Sequence, residues 1–352
     1  MTPLGTLVAE RIAAQGPMRL DAYMALCLDH PEHGYYMRRD PLGRGGDFIT
    51  APEISQMFGE LIGAWMAAVW AEQGAPDRFV LAELGPGRGT LMQDALRATA
   101  ALPGFEAAAD LWLVETSPLL RARQAERLAR HAPRWAAGLG DLPAGPLIVI
   151  ANEFFDALPI RQFQRIGPFW RERLVGPGLA FLWGRPEGDA GLDARFPLAP
   201  DGAIVEVNGP AEALAGALAA RIGAAGGAAL ILDYGAWDGT GDTLQALRGH
   251  APADPLAEPG LADLTAHVRF KALAEAAAGH VRASGALTQG QLLERLGIAA
   301  RARALARGKS PAEAAGVAAA YRRLTHAEEM GQLFQALAFT PLGLPPPPGF
   351  DA

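Results

Sequence analysis

Two short stretches carry residue types that could do chemistry. The first is Glu83-Leu84-Gly85-Pro86-Gly87-Arg88-Gly89, a carboxylate followed by three alternating glycines. Glycines at this spacing let the backbone come close to a ligand where a side chain would block it. The second is Asn152-Glu153-Phe154-Phe155-Asp156. Two carboxylates there suit a cationic group: they can hold a guanidinium by bidentate hydrogen bonds and localise its charge away from one nitrogen. Glu153 and Asp156 are therefore the candidate catalytic pair, although Asp156 is equally suited to capping a turn. Asp47, in a glycine-rich N-terminal loop, is a third candidate with a turn role as its alternative.

The glycine pattern points to a ligand. A dinucleotide turn, G-x-G-x-x-G, would need glycine at position 90, which is Thr90. The order E-x-G-x-G-x-G is that of class I S-adenosyl-L-methionine (SAM) methyltransferases. In that reading Glu83 acts on the cationic methionine end, directly or through water, beside Gly85, Pro86, Gly87 and Gly89. No Walker lysine follows the turn. Glu115, about 30 residues on, ends the next apolar run, where an acid can accept hydrogen bonds from both ribose hydroxyls. Asp141 is the candidate acceptor for the adenine amino group, with Leu142 packing near the ring. Asn152 would flank the transferred methyl. Its box has a polar first and an aromatic fourth residue, as in amino-group methyltransferases, but lacks the prolines of N-P-P-Y. An NAD site and a purely structural glycine turn are the alternatives.

Positioning these residues takes an α/β architecture. Apolar runs at 79–84, 110–114, 146–151 and 229–235, with a weaker one near Trp135, read as buried strands. Helical spacing at 4–14, 20–28, 53–70, 118–130 and 211–222 places helices around them. Alternation of the two implies parallel βαβ units with right-handed crossovers. The fold class is α/β: a Rossmann-like, mostly parallel sheet with helices on both faces. To it are added an N-terminal helical and loop cover (1–75) and an inserted β-hairpin (161–185). The catalytic domain spans 76–340; within it, 236–265 reads as a Gly/Pro-rich loop, with helices near 262–278 and 288–322. The segment 29–55 also reads as a loop, and the proline-rich tail 341–352 as extended polyproline.

Composition removes several classes. Half of the 352 residues are hydrophobic, enough for a large core, and the net charge of -7 argues against nucleic-acid or anionic-membrane partners. A single cysteine, Cys27, precludes an internal disulfide and a cysteine-based zinc site. His33, His250 and His267 lack metal-ligand spacing. With no signal-like start and no run of roughly 20 apolar residues, the chain is expected to be soluble and cytoplasmic, without membrane insertion. A dimer remains open.

The segments H-P-E-H-G-Y-Y (30–36), G-D-F-I-T-A-P-E-I-S-Q-M-F-G-E (46–60), E-L-G-P-G-R-G-T-L (83–91), N-E-F-F-D-A-L-P (152–159) and D-Y-G (233–235) together resemble the MidA family of SAM-dependent methyltransferases. So do L-A-D-L-T-A-H-V-R-F (261–270) and G-A-L-T-Q-G (285–290), and the likeness runs from about residue 5 to 340. It implies protein arginine N-methylation. It also implies a role in respiratory complex I assembly, with a subunit of the 49-kDa type as protein substrate. By the same resemblance the G-D-F-I-T-A-P-E loop covers the SAM site, with Gly46, Asp47 and Thr50 near cofactor or substrate.

Overall fold

A computed structural model of the chain describes residues 1–38 and 50–350, so Gly46 and Asp47 lie outside the described residues. The central sheet is built from β1 (Phe79–Leu84), β2 (Ala109–Val114), β3 (Arg134–Ala136), β4 (Leu147–Asn152), β5 (Gly227–Ala236), β6 (Val281–Thr288) and β7 (Phe334–Pro341). Every residue of β1 and β4 is buried, as strands covered on both faces require. The order is β3-β2-β1-β4-β5-β7-β6; the first five strands are parallel and β7 runs antiparallel to both its neighbours. The chain moves outward from β1 to β3, then returns to place β4 on the other side of β1. This reversal opens a crevice at the carboxyl ends of β1 and β4. Glu83 pairs in register with Ile150 of β4, so the acidic end of β1 sits beside the strand that leads into Asn152 and Glu153.

Helices cover both faces. On one, Gln56–Glu72 packs along Thr90–Thr99, with Phe58, Ile62, Trp65 and Met66 against Leu91, Met92 and Ala95. The two backbones nearly touch: a Cβ on Gly63 would lie 2.4 Å from the Ala95 carbonyl oxygen, so no larger residue fits there. The region near 288–322 is three helices, Gln289–Arg295, Ile298–Ala306 and Pro311–Thr325, which join this core through Leu292, Leu293, Ile298 and Leu324. The other face is covered by Gly209–Ala225 and Phe270–Ala276.

Above the strand ends lies a cover assembled from distant segments. Helices Pro3–Gln15 and Leu20–Asp29 share a core with Ile160, Val175, Leu256, Ala262 and Leu264. Thr2 Oγ1 donates to the Pro259 carbonyl at 2.8 Å and Tyr23 to that of Pro255 at 2.6 Å. The segment 161–185, expected as a hairpin, contains three strands, Arg161–Ile166, Phe169–Gly176 and Ala180–Trp183. Met18–Arg19 and Ile204–Val207 complete this second sheet.

Other local expectations are corrected. The segment 236–265 is not a bare loop: Gln245–Arg248, Ala251–Ala253 and Asp263–Thr265 form a small antiparallel sheet. The helix expected from 262 begins at Phe270, because Asp263–Thr265 and Val268–Arg269 are held extended by strand partners. The segment 29–55 contains short helices at Tyr35–Arg38 and Ala51–Ile54. The tail does not run free either: Phe350 is buried in the main core, and Arg295 donates to the Gly349 carbonyl at 3.0 Å.

Candidate active site

A cavity of about 950 Å³ lies at the carboxyl ends of β1, β4 and β5. That is near the upper end of the roughly 300–1,000 Å³ usual for small-molecule sites, and it leaves room for a second group beside a nucleoside. Glu83, Gly85, Pro86 and Gly87 line one side with Glu115; Asn152, Glu153 and Asp156 line the floor; Thr50 and Glu53 approach from the N-terminal segment.

The glycine turn is shaped by φ values of +59 at Gly85, +53 at Gly87 and +76 at Gly89, a region that favours glycine. A Cβ on Gly85 would lie 2.6 Å from Cδ2 of Phe154, so this glycine is needed for space as well as for backbone angle. Gly89 does not line the cavity; it opens the helix Thr90–Thr99 and faces Leu128 and Gln124. Gln124, fully buried, ties the cofactor side together. Its Nε2 donates to the Gly87 carbonyl at 2.7 Å and to Glu115 Oε2 at 3.3 Å, while its Oε1 accepts from Trp135 Nε1 at 2.8 Å. Glu115 also accepts from the Ser117 N–H at 2.8 Å. Burial pushes its carboxyl upward, opposed by that bond.

Glu83 is 3% exposed, and its Oε2 has no hydrogen-bond partner among the described residues. Burial pushes its carboxyl up to about 8. A buried carboxylate oxygen without a donor is costly, and a cationic ligand end would supply one. Asn152 Oδ1 is likewise buried without a partner.

Beyond β4 the chain turns sharply, with Glu153 at φ +52, an unusual angle for a residue with a side chain. Its Oε1 accepts from the Ala51 N–H at 3.0 Å and from Asn152 Nδ2 at 3.1 Å. Burial nevertheless pushes Glu153 up to about 7. The turn is organised by Asp233 on β5, 0% exposed. Its Oδ2 accepts the N–H groups of Phe154, Phe155 and Asp156 at 3.1, 2.8 and 3.2 Å, and its Oδ1 that of Tyr234 at 2.9 Å. Burial and the nearby charges of Asp156 and Glu153 push Asp233 well up, against the N–H groups of Asp156 and Phe155. Asp156 is pushed up to about 6 by burial, opposed by a hydrogen bond from Tyr234.

The structure therefore brings Glu83, Gly85, Pro86, Gly87, Glu115, Asn152, Thr50, Glu153 and Asp156 to one cavity. It does not bring Asp141 and Leu142 there. The Asp141 Oδ2 accepts from the Ala137 and Gly138 N–H groups at 3.0 and 3.1 Å, capping a short turn, and Leu142 is buried in the core; Ala137 lines the wall instead. Asp47 and Gly46 are outside the described residues. The sequence reading missed Tyr36, Tyr234, Asp263 and Arg323, which also line the cavity. Tyr36 donates to Asp263 Oδ1 at 2.8 Å, a contact across 227 residues with no local signal. His267 does reach the cavity, edge-on to Tyr234 with ring centroids 5.4 Å apart, and burial lowers its pKa. Among the described residues no group of His, Cys, Asp or Glu is placed to hold a metal, and no helix is long and apolar enough to cross a membrane.

Known proteins give this geometry a context. Residues 61–287 match the model of a family described as S-adenosyl-L-methionine-dependent methyltransferases. The chain is 40% identical over 366 residues to the Danio rerio protein named protein arginine methyltransferase NDUFAF7, mitochondrial, covering 93% of this chain and 84% of that one. The Homo sapiens protein of the same name is 36% identical over 380 residues, covering 97% and 84%. A COG1565 superfamily member from Burkholderia thailandensis, crystallised with S-adenosyl-homocysteine, superimposes with a TM-score of 0.84 at 30% identity, covering 99% of this chain and 94% of that one. The partnerless oxygens of Glu83 and Asn152 fit the same cofactor. The chain belongs to the MidA family of S-adenosyl-L-methionine-dependent methyltransferases.

Proposed function

We propose that the enzyme N-methylates an arginine of a protein substrate related to the 49-kDa-type subunit of respiratory complex I, and so supports assembly of that complex. The observation that carries the reading is the pair Glu153 and Asp156, two carboxylates on the cavity floor next to the Glu83–Gly87 turn. The relatives named protein arginine methyltransferase support the same choice. A site of action in the cytoplasm belongs to this reading, with Cys27 free and buried as a reducing compartment allows.

In this reading Glu83, Gly85, Pro86, Gly87, Glu115, Asn152 and Thr50 hold the cofactor, which supplies an electrophilic methyl group on a sulfonium sulfur. The chain's own contribution is orientation. Glu153 and Asp156 would grip the guanidinium and orient one nitrogen toward the methyl, and one of these carboxylates would take the proton that the nitrogen gives up as its bond to carbon forms and the carbon–sulfur bond breaks. Asn152 holds Glu153 through Nδ2, and Tyr234 holds Asp156. Phe154 lines the cavity and packs edge-on, at 5.7 Å, against Phe155 in the core beneath.

The test is to incubate the enzyme and Glu153→Gln with labelled S-adenosyl-L-methionine and complex I subunits, then map the label by mass spectrometry. Methyl-arginine on a single subunit, absent with the variant, is expected. Label on another residue type, or only on small molecules, would show the substrate class to be wrong.

A further inference from the structure

Among the described residues, the cavity is short of positive charge. Seven carboxylates line it, against two arginines among the described residues, Arg88 and Arg323. Arg88 sits in the glycine turn, with its Nη1 3.7 Å from Glu53. Arg323 is different. It stands exposed on the last turn of the helix Pro311–Thr325, lines the cavity, and makes no hydrogen bond or ion pair to a described residue. Its charge nonetheless reaches Glu153 and opposes the upward push of burial there. Its helix packs on Ala51–Ile54, whose first N–H holds that same carboxylate. Arg323 thus faces the region where β1 and β4 end.

The cofactor brings an α-ammonium and an α-carboxylate to that region. The partnerless atoms there, Glu83 Oε2 and Asn152 Oδ1, are both acceptors. They suit the ammonium and cannot serve the carboxylate, which would otherwise meet a cavity lined by acids. An arginine fork matches a carboxylate in shape and charge.

We propose that Arg323 pairs with the α-carboxylate of the cofactor's methionine end, so that a C-terminal helix far from the glycine turn in sequence completes the cofactor site. The nucleoside is held by the β1 and β2 side and the amino-acid end is shared with this helix. Because Arg323 is exposed and makes no hydrogen bond or ion pair to a described residue, its removal leaves the protein folded.

Calorimetry on the full chain tests this with two ligands: S-adenosyl-homocysteine, and 5′-methylthioadenosine, which keeps the nucleoside and lacks the amino-acid end. Arg323→Ala is expected to weaken S-adenosyl-homocysteine about 10- to 100-fold, the size of a charge-assisted hydrogen bond, and to leave 5′-methylthioadenosine within about twofold. Arg323→Lys restores part of the loss. Arg322→Ala, which removes a neighbour paired instead with Glu329 at 3.1 Å, leaves both ligands unaffected. Unchanged S-adenosyl-homocysteine affinity in Arg323→Ala, or an equal loss for both ligands, would overturn the assignment.

Discussion

The two ends of the cavity are built in opposite ways. On the side the proposed reading gives to the cofactor, one continuous stretch, Glu83–Leu91, ends a strand, makes the glycine turn and opens a helix, and Gln124 braces it from the next helix. On the side it gives to the substrate, the turn after β4 is joined by single residues or pairs from scattered segments. Tyr36 comes from the N-terminal segment, Asp156 from the turn after β4, Tyr234 from β5, and Asp263 and His267 from the small inserted sheet and its edge. A local construction tolerates change elsewhere in the chain. A composite one depends on every segment that reaches it, and its target can change when a single insertion does.

Substitutions on the two sides should therefore separate binding from turnover. The largest effect is expected from Gly85→Val. With Phe154 2.6 Å from the new Cβ and φ at +59, displacement of the turn should lower cofactor affinity at least about 100-fold; calorimetry with S-adenosyl-homocysteine reads it directly. Glu153→Gln should do the reverse, cutting kcat by about 100- to 1,000-fold while S-adenosyl-homocysteine binds within about threefold. If affinity and kcat fall together in this variant, the two sides are not separable.

Glu153 also predicts a pH response. Because burial raises its carboxyl to about 7, the ionised form that grips a cation is lost as pH falls through 7. The kcat/KM of the wild-type enzyme should drop about tenfold per pH unit below that point. A profile flat down to pH 5.5 would remove Glu153 from this role.

Glu83→Gln is expected to weaken the cofactor about tenfold and to stabilise the ligand-free protein at neutral pH. The sign follows from the raised carboxyl. Between the ordinary value of 4.5 and the folded value of about 8, the native state holds a proton that the unfolded chain has lost, so stability falls as pH rises across that window. Thermal melts from pH 5 to 8 should slope less in the variant than in the wild type. The smallest effect belongs to Tyr36→Phe. Loss of its 2.8 Å bond to Asp263 should raise the KM for the protein substrate about fivefold with kcat unchanged.

The same contrast explains what could be read in the sequence. The β1 strand, its glycine turn and the acid after β2 are legible because periodicity, backbone freedom and charge all report on neighbours a few residues away. Glu153 and Asp156 are legible because they follow a strand whose end must face the crevice. Asp141 was misplaced because an acid after a strand can equally cap its own turn, and here it does. Tyr36, Asp263 and Arg323 gave no signal: an exposed-looking arginine on an alanine-rich helix, or an aspartate in a Gly/Pro-rich stretch, acquires its place only from tertiary packing. Short strands such as Ala251–Ala253 and Ile204–Val207 were missed because three or four residues carry too little alternation to be recognised.

Asp233 has a consequence for the order in which the molecule takes shape. Its carboxylate fixes three consecutive N–H groups that lie 77 to 79 residues earlier in the chain. The floor of the cavity therefore has no reason to hold its conformation until β5 has docked beside β4, after the whole inserted sheet between them has been accommodated. On a ribosome, or during refolding, the nucleoside side can take shape while the reacting side and the C-terminal helix that carries Arg323 are still unformed. Such a chain would acquire a place for the nucleoside before it could hold or use the reacting end of its cofactor.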